Sequence, residues 1–295
     1  METSQRDQRR SFWTEYQPGF RFTDAQVGTA RFFSDVERHR YELEPHIPEV
    51  VRFPTWTGRD VLEAGCGIAT DGVQFARAGS RYTGVDFSST ALDLARRRFE
   101  LEGVEGSFVQ CSVTDLPFPD GSFDLVYSNG VIHHEPRAEQ VVSEFHRVLR
   151  PGAMALVMVY HRDSFNYRFS IMTVRRSLAA LLALPGVATA VSKATGEHRD
   201  VLEGHRELLS EHGVRYLVDR DLFLSHNTDG PGNPLSTVYS RNEIRRLFGA
   251  FAQVDTAVRF LNLRLYPGGR RLAGSPLGRR LEPRWGWHLY VSARR

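Results

Sequence analysis

Only two cysteines, Cys66 and Cys111, occur in the 295 residues. That scarcity argues against a disulfide framework and against a cysteine-based zinc site, and it makes the reducing cytoplasm the expected setting. Long apolar stretches are missing too. None approaches the roughly 20 residues that span a bilayer, and Met1–Arg10 is polar and charged rather than signal-like, so no membrane partner is expected. Lysine is almost absent, with Lys193 the only one among 38 basic residues. Against 35 acidic residues the net charge is only +3, so the arginine excess reads as codon bias in a GC-rich bacterial genome. Arginines do gather late (Arg270, Arg271, Arg279, Arg280, Arg284, Arg294, Arg295). Without an aromatic-interleaved basic motif or a recognition-helix pattern, they read as a solvated surface, and no nucleic-acid partner is expected.

Present instead is ordinary globular material, 41% hydrophobic and 25% charged. From Asp60 onward, short apolar strand candidates alternate with amphipathic helices. The strands are Val61–Ala64, Arg81–Asp86, Ser107–Gln110, Phe123–Ser128 and Ala153–Tyr160, with helices over Ala69–Ala78, Thr90–Glu102 and Arg137–Leu149 between them. Near-continuous apolar strands separated by helices indicate a parallel sheet covered on both faces. The rhythm breaks after Tyr160. Phe165–Leu184 and His198–His212 read as amphipathic helices, and Asp229–Pro234 as an irregular loop. Ser240 and Glu243 then form a capping-box pattern that opens a helix to Phe251, and strand candidates follow at Val254–Leu265 and Trp287–Ala293. The division expected is a helical arm or lid over 1–55, a nucleotide-binding core over 56–160, a cap insertion over 161–238, and the rest of the core over 239–295.

The densest chemistry lies in Val61-Leu62-Glu63-Ala64-Gly65-Cys66-Gly67. A buried strand runs into glycines that allow positive φ and close approach of a ligand to the backbone. Asp86 ends the next strand twenty-one residues after Gly65, where a carboxylate can accept hydrogen bonds from both hydroxyls of a ribose. A dinucleotide oxidoreductase is the rival reading. It would want G-x-G-x-x-G, yet Thr70 stands at the third glycine position, and Glu63 suits an ammonium better than a pyrophosphate.

Through these residues, together with Phe123-Asp124-Leu125-Val126-Tyr127-Ser128-Asn129-Gly130 and Phe145-His146-Arg147-Val148-Leu149-Arg150-Pro151-Gly152, the chain from about Asp60 to Tyr160 resembles a class I S-adenosylmethionine (SAM)-dependent methyltransferase of the methyltransferase type 11 group. The resemblance implies a Rossmann-like α/β fold, with a mostly parallel seven-stranded sheet, helices on both faces, and the arm and insertion as additions. It implies SAM as cofactor and S-adenosylhomocysteine (SAH) as product. Glu63 would anchor the methionine amino group, Gly65, Cys66 and Gly67 would form the cofactor turn, and Asp86 would take the ribose hydroxyls. Phe87 would lie against the adenine, Ser112 and the Val113 amide would recognise it, and Asn129 and Gly130 would meet the methionine end. Two departures stand out. Ala69 replaces a customary glycine and requires a negative φ to be tolerated, and Ser112 replaces an acid. Cys66 is expected to pack rather than react.

Methyl transfer needs a nucleophile held in line in a water-poor pocket, and a high-pKa oxygen also benefits from a base. His134, just past the fourth strand, His161 at the end of the fifth and His226 in the insertion are the candidate bases. Tyr16, Tyr41, Tyr160 and Asp229 are the candidate substrate contacts, with the aromatic arm as a lid. No metal is expected, since no histidine pair or acid triplet has ligand spacing. The expectation is a methyltransferase acting on an oxygen or nitrogen of a small or medium-sized metabolite, possibly in secondary metabolism, as a monomer or homodimer. A non-catalytic SAM- or nucleoside-binding protein and a peptide or protein methyltransferase are the alternatives.

Overall fold

The computed structural model describes residues 11–13, 22–182, 184, 186–195, 198–263 and 266–295. Seven strands form one sheet: β1 (Asp60–Ala64), β2 (Arg81–Asp86), β3 (Ser107–Gln110), β4 (Phe123–Asn129), β5 (Leu149–Tyr160), β6 (Gln253–Arg259) and β7 (His288–Arg294). Their order is β3-β2-β1-β4-β5-β7-β6. The first five pair in parallel, whereas β7 runs antiparallel to both β5 and β6.

Alternation along each strand builds two cores. Leu62 and Ala64 of β1, Val126 of β4, and Ala155, Val157 and Val159 of β5 bury on one face. Val61, Leu125, Tyr127, Leu156 and Met158 bury on the other. Side chains alternate sides with a period of two, so strands buried on both faces must be apolar throughout. The helices Ala138–Val148 and Arg241–Leu247 cover the first face, and Gly72–Arg77 and Ser89–Glu102 the second. The capping box forms as read, Ser240 Oγ accepting from the Glu243 amide and Glu243 accepting from the Ser240 amide.

The reversed strand β7 matters for the site. Its register sets Tyr160 opposite His288 and Arg259 opposite His288, so the ends of β5 and β6 meet the start of β7 at one edge. Tyr160 and Trp287 there join a third cluster with Tyr167, Ile171, Tyr216 and Phe223, all from the segment after β5. One helix departs from expectation. Over Asn166–Arg175 the chain forms a π-helix, and an α-helix resumes only at Arg176–Leu181. The i→i+5 ladder is invisible to a reading based on 3.6-residue periodicity.

The helix Ala30–Leu43 begins at Thr29, whose hydroxyl accepts from the Phe32 amide. Phe32, Phe33 and Val36 bury against Ile68, beside the glycine turn. Arg98, fully buried, donates to Glu37 of this helix. The described part of the arm is thus packed onto the core.

Candidate active site

Beyond β1 the backbone turns at Gly65 (φ 76°) and Gly67 (φ 52°). A Cβ on Gly65 would sit 2.4 Å from a Val131 methyl, so this position accepts glycine alone. The Gly65 and Cys66 amides both donate to the Val85 carbonyl, at 2.8 and 2.9 Å, strapping the turn to β2. Ala69 corrects the requirement stated above. Its φ is positive, 53°, in a fully buried position. The left-handed region costs a non-glycine residue roughly 1–2 kcal/mol, which the surrounding packing holds in place.

Asp86 is buried, and its two oxygens accept from the Ser88 and Gly67 amides, each at 2.9 Å. Each oxygen keeps a second lone pair. Burial pushes its pKa up, against the amides that favour the carboxylate. Glu63, also buried, accepts from the Tyr82 hydroxyl at 2.6 Å. Burial and then the nearby Asp71 charge push it up to about 8. A buried carboxylate is costly without a cation bonded to it. Among the described residues Glu63 bonds only the neutral Tyr82 phenol, and it holds a proton in place of a charge. This observation tests the fit of the methionine ammonium, which would supply the missing positive charge beside Glu63. The residues fit that group.

Asp71, one turn further on, is the opposite case and was not foreseen. Arg40 of the arm helix donates to both its oxygens, at 2.9 and 2.6 Å. Tyr41 and Tyr127 hydroxyls donate as well, at 2.9 and 2.7 Å. Burial opposes ionisation, but the Arg40 charge and these donors hold Asp71 below the ordinary carboxylate range. Tyr127 accepts in turn from the Asn129 side-chain amide at 2.7 Å. Arm helix, glycine turn and the end of β4 are therefore tied into one network. Tyr41, expected near substrate, spends its hydroxyl here.

On the adenine side, Phe87 is half-buried at the end of β2 and its carbonyl accepts from Gln110 at 2.9 Å. Ser112 and Val113 follow β3, with Ser112 Oγ 2.7 Å from Thr114 Oγ1. Asn129 and Gly130, the latter at φ 79°, close the end of β4. Burial raises the Cys66 thiol well above its usual pKa and Cys111 to about 11, so neither supplies a thiolate near neutrality.

Past Gly130 a short 3-10 turn, Ile132–His134, carries His134 into contact with the segment between β5 and β6. Its Nδ1 lies 2.7 Å from the Leu235 carbonyl and its Nε2 3.4 Å from Asp229. The carbonyl only accepts, so Nδ1 carries a proton, which leaves Nε2 as the nitrogen that faces Asp229. Tyr160 donates to both Asp229 oxygens, at 2.9 and 3.1 Å, and its ring is stacked between His133 at 3.8 Å and Trp287 at 4.3 Å. Trp13 of the arm lies 4.7 Å from the His134 ring. His134, Tyr160 and Asp229, from three distant segments, are thus gathered. The other two histidines engage elsewhere. His161 is paired with the Gly286 carbonyl at 3.1 Å, and His226 with the Pro231 carbonyl of its own loop. Burial lowers the pKa of both. Tyr16 lies outside the described residues. No group of three or more metal-ligating side chains occurs among the described residues.

Residues 62–157 match the family model described as a methyltransferase domain. A fatty-acid O-methyltransferase of Mycolicibacterium smegmatis is 42% identical over 135 residues, 45% of this chain and 48% of that protein. A sterol 24-C-methyltransferase of Gibberella zeae is 36% identical over 120 residues, 38% of this chain and 32% of that protein. The chain thus spans about half or less of these relatives. The crystal structure of a magnesium protoporphyrin IX methyltransferase from Synechocystis with bound SAH superposes over 97% of each chain, with TM-score 0.53 and 15% identity. That likeness bears on fold alone. Glycine turn, paired acids Glu63 and Asp86, sheet order and sequence match converge: residues 62–157 are a class I SAM-dependent methyltransferase domain, with SAM as its cofactor.

Proposed function

We propose that this protein transfers a methyl group from SAM to an oxygen or nitrogen of a small or medium-sized metabolite. The observation that carries the reading is the group of His134, Asp229 and Tyr160 gathered just beyond Gly130. SAM, when bound, supplies an electrophilic methyl on a sulfonium. Glu63 would hold its ammonium, Asp86 its ribose hydroxyls, Phe87, Ser112 and Val113 its adenine, and the Gly65–Gly67 turn and Asn129–Gly130 its backbone.

The remaining chemistry falls to this chain's own side chains. His134 Nε2 takes the acceptor's proton, the Leu235 carbonyl fixes its tautomer, and Asp229 stabilises the imidazolium that results. At 3.4 Å from Nε2, Asp229 stands just beyond ordinary N–H···O range, a spacing that tightens when the ring is charged. Tyr160 holds the carboxylate by both oxygens. Since Asp229 and Leu235 belong to the segment 161–238, that segment acts as a cap whose seating completes the base. Trp13 and the stacked Tyr160–Trp287 pair exclude water. The matched fatty-acid O-methyltransferase supports an oxygen acceptor on a small molecule.

The test is SAH formation over a panel of fatty acids, phenols and amines, with His134→Ala beside the wild type. Turnover of an acceptor with a high-pKa proton should fall about a hundredfold or more while SAM affinity is unchanged. SAM binding without turnover on any acceptor would favour the non-catalytic reading. Full turnover by His134→Ala would remove His134 from the chemistry.

A further inference from the structure

A second cleft, of about 530 Å³, opens between the residues that follow β5 and the end of the helix Pro276–Trp285. It shares no residue with the cofactor site. His161 lines it, one position past Tyr160. Its walls carry four arginines, Arg168, Arg241, Arg245 and Arg284, against a single acid, Asp163.

Arg168 neutralises Asp163. The other three have no carboxylate partner among the described residues. Arg241 donates to the Pro283 carbonyl at 2.6 Å, Arg245 reaches the Asn242 side-chain oxygen at 3.4 Å, and Arg284 lies 5.6 Å over the Trp285 ring. Several arginines on the core elements are paired by contrast. Arg81 pairs with Asp60 at 2.6 Å, Arg147 with Glu144 at 2.7 Å and Arg150 with Asp124 at 2.9 Å. Codon bias explains why basic residues here are arginines. It does not explain why three uncompensated ones face one concave surface, where like charges repel.

We propose that this cleft binds the phosphoryl group of a small phosphate ester. Three net positive charges call for a ligand carrying at least two negative ones, which a single carboxylate cannot supply. Guanidinium forks match phosphate oxygens in bidentate geometry, and such charge-assisted bonds are the strong ones. Trp285 adds an aromatic wall for the ester's organic part.

Calorimetric titration of the full chain with inorganic pyrophosphate at low ionic strength tests this, with acetate as the monoanionic comparison. Pyrophosphate should bind one per chain, at least about tenfold more tightly than acetate. Replacing Arg241 and Arg245 together by Gln should weaken it at least about tenfold, and Arg284→Gln alone should weaken it measurably should the pair fail to fold. Arg270→Gln with Arg271→Gln, exposed positions outside the cleft, should leave affinity within about twofold. Absence of saturable binding, or equal loss in the Arg270 and Arg271 pair, overturns the proposal, the latter by making the attraction a property of the whole basic surface.

Discussion

Replacing Arg40 by Met should unseat the network beneath the glycine turn. Among the described residues, two of the four donors to Asp71 vanish, and with them its only cation. Asp71 is 2% exposed, and its neighbour Glu63 is also an acid. Removing one partner of a buried ion pair costs about 3–5 kcal/mol, since the other charge is stranded. Arg40's side chain is 27% exposed, so water can reach part of the gap, and about 3 kcal/mol is the figure expected here. For a chain of this size that lowers Tm by about 6 °C. Urea denaturation should show a lower midpoint with unchanged slope. Adding Asp71→Asn removes the stranded charge but keeps groups for Tyr41 and Tyr127 to bond. The double variant should therefore regain at least about 1.5 kcal/mol relative to additivity. A single variant that costs under about 1 kcal/mol, or strict additivity in the double, refutes the reasoning.

Further outcomes follow from the same site. The Glu63 pKa rises from 4.5 to about 8 on folding. The folded state therefore holds an extra proton across that window, its stability complete below about pH 4.5 and declining as pH rises through 8. In Glu63→Gln without ligand, the fall of Tm between pH 5 and pH 8 should be smaller than in the wild type, while SAM binding weakens; an unchanged slope would contradict the assignment. Ala69→Gly trades relief of the left-handed strain against added chain entropy, so stability should stay within about 1 kcal/mol by denaturation. Ala69→Val, branched and buried at φ 53°, should cost well over about 2 kcal/mol.

Strand positions were legible because short, largely apolar runs alternate with amphipathic helical segments. Arg81–Asp86 and Ser107–Gln110 have the boundaries expected. Glu63 and Asp86 could be found because their distance along the chain reflects one βαβ unit. The Asp71 network could not. Its members Arg40, Tyr41 and Tyr127 lie 31, 30 and 56 residues from Asp71, and nothing local distinguishes a buried arginine from an exposed one. Likewise Tyr160 and Asp229 were each singled out, yet their bond spans 69 residues and depends on how the chain after β5 folds back. His134 and His161 stood level by position at strand ends, with His226 a third candidate in the segment between β5 and β6. Only the packing of the loop Asn227–Ser236 against the end of β4 separates them. The wider turns of Asn166–Arg175 leave no signature in an apolar pattern with helical spacing.

Isothermal titration of SAM into the wild type and into folded Asp86→Ala tests the central claim most directly. Asp86 is expected to bond two ribose hydroxyls, at roughly 1.5–3 kcal/mol for each bond to a charged group. The substitution also frees the Gly67 amide that shapes the turn. SAM affinity should fall at least about tenfold. Equal affinity in the two proteins would place the cofactor somewhere other than this turn and contradict the account.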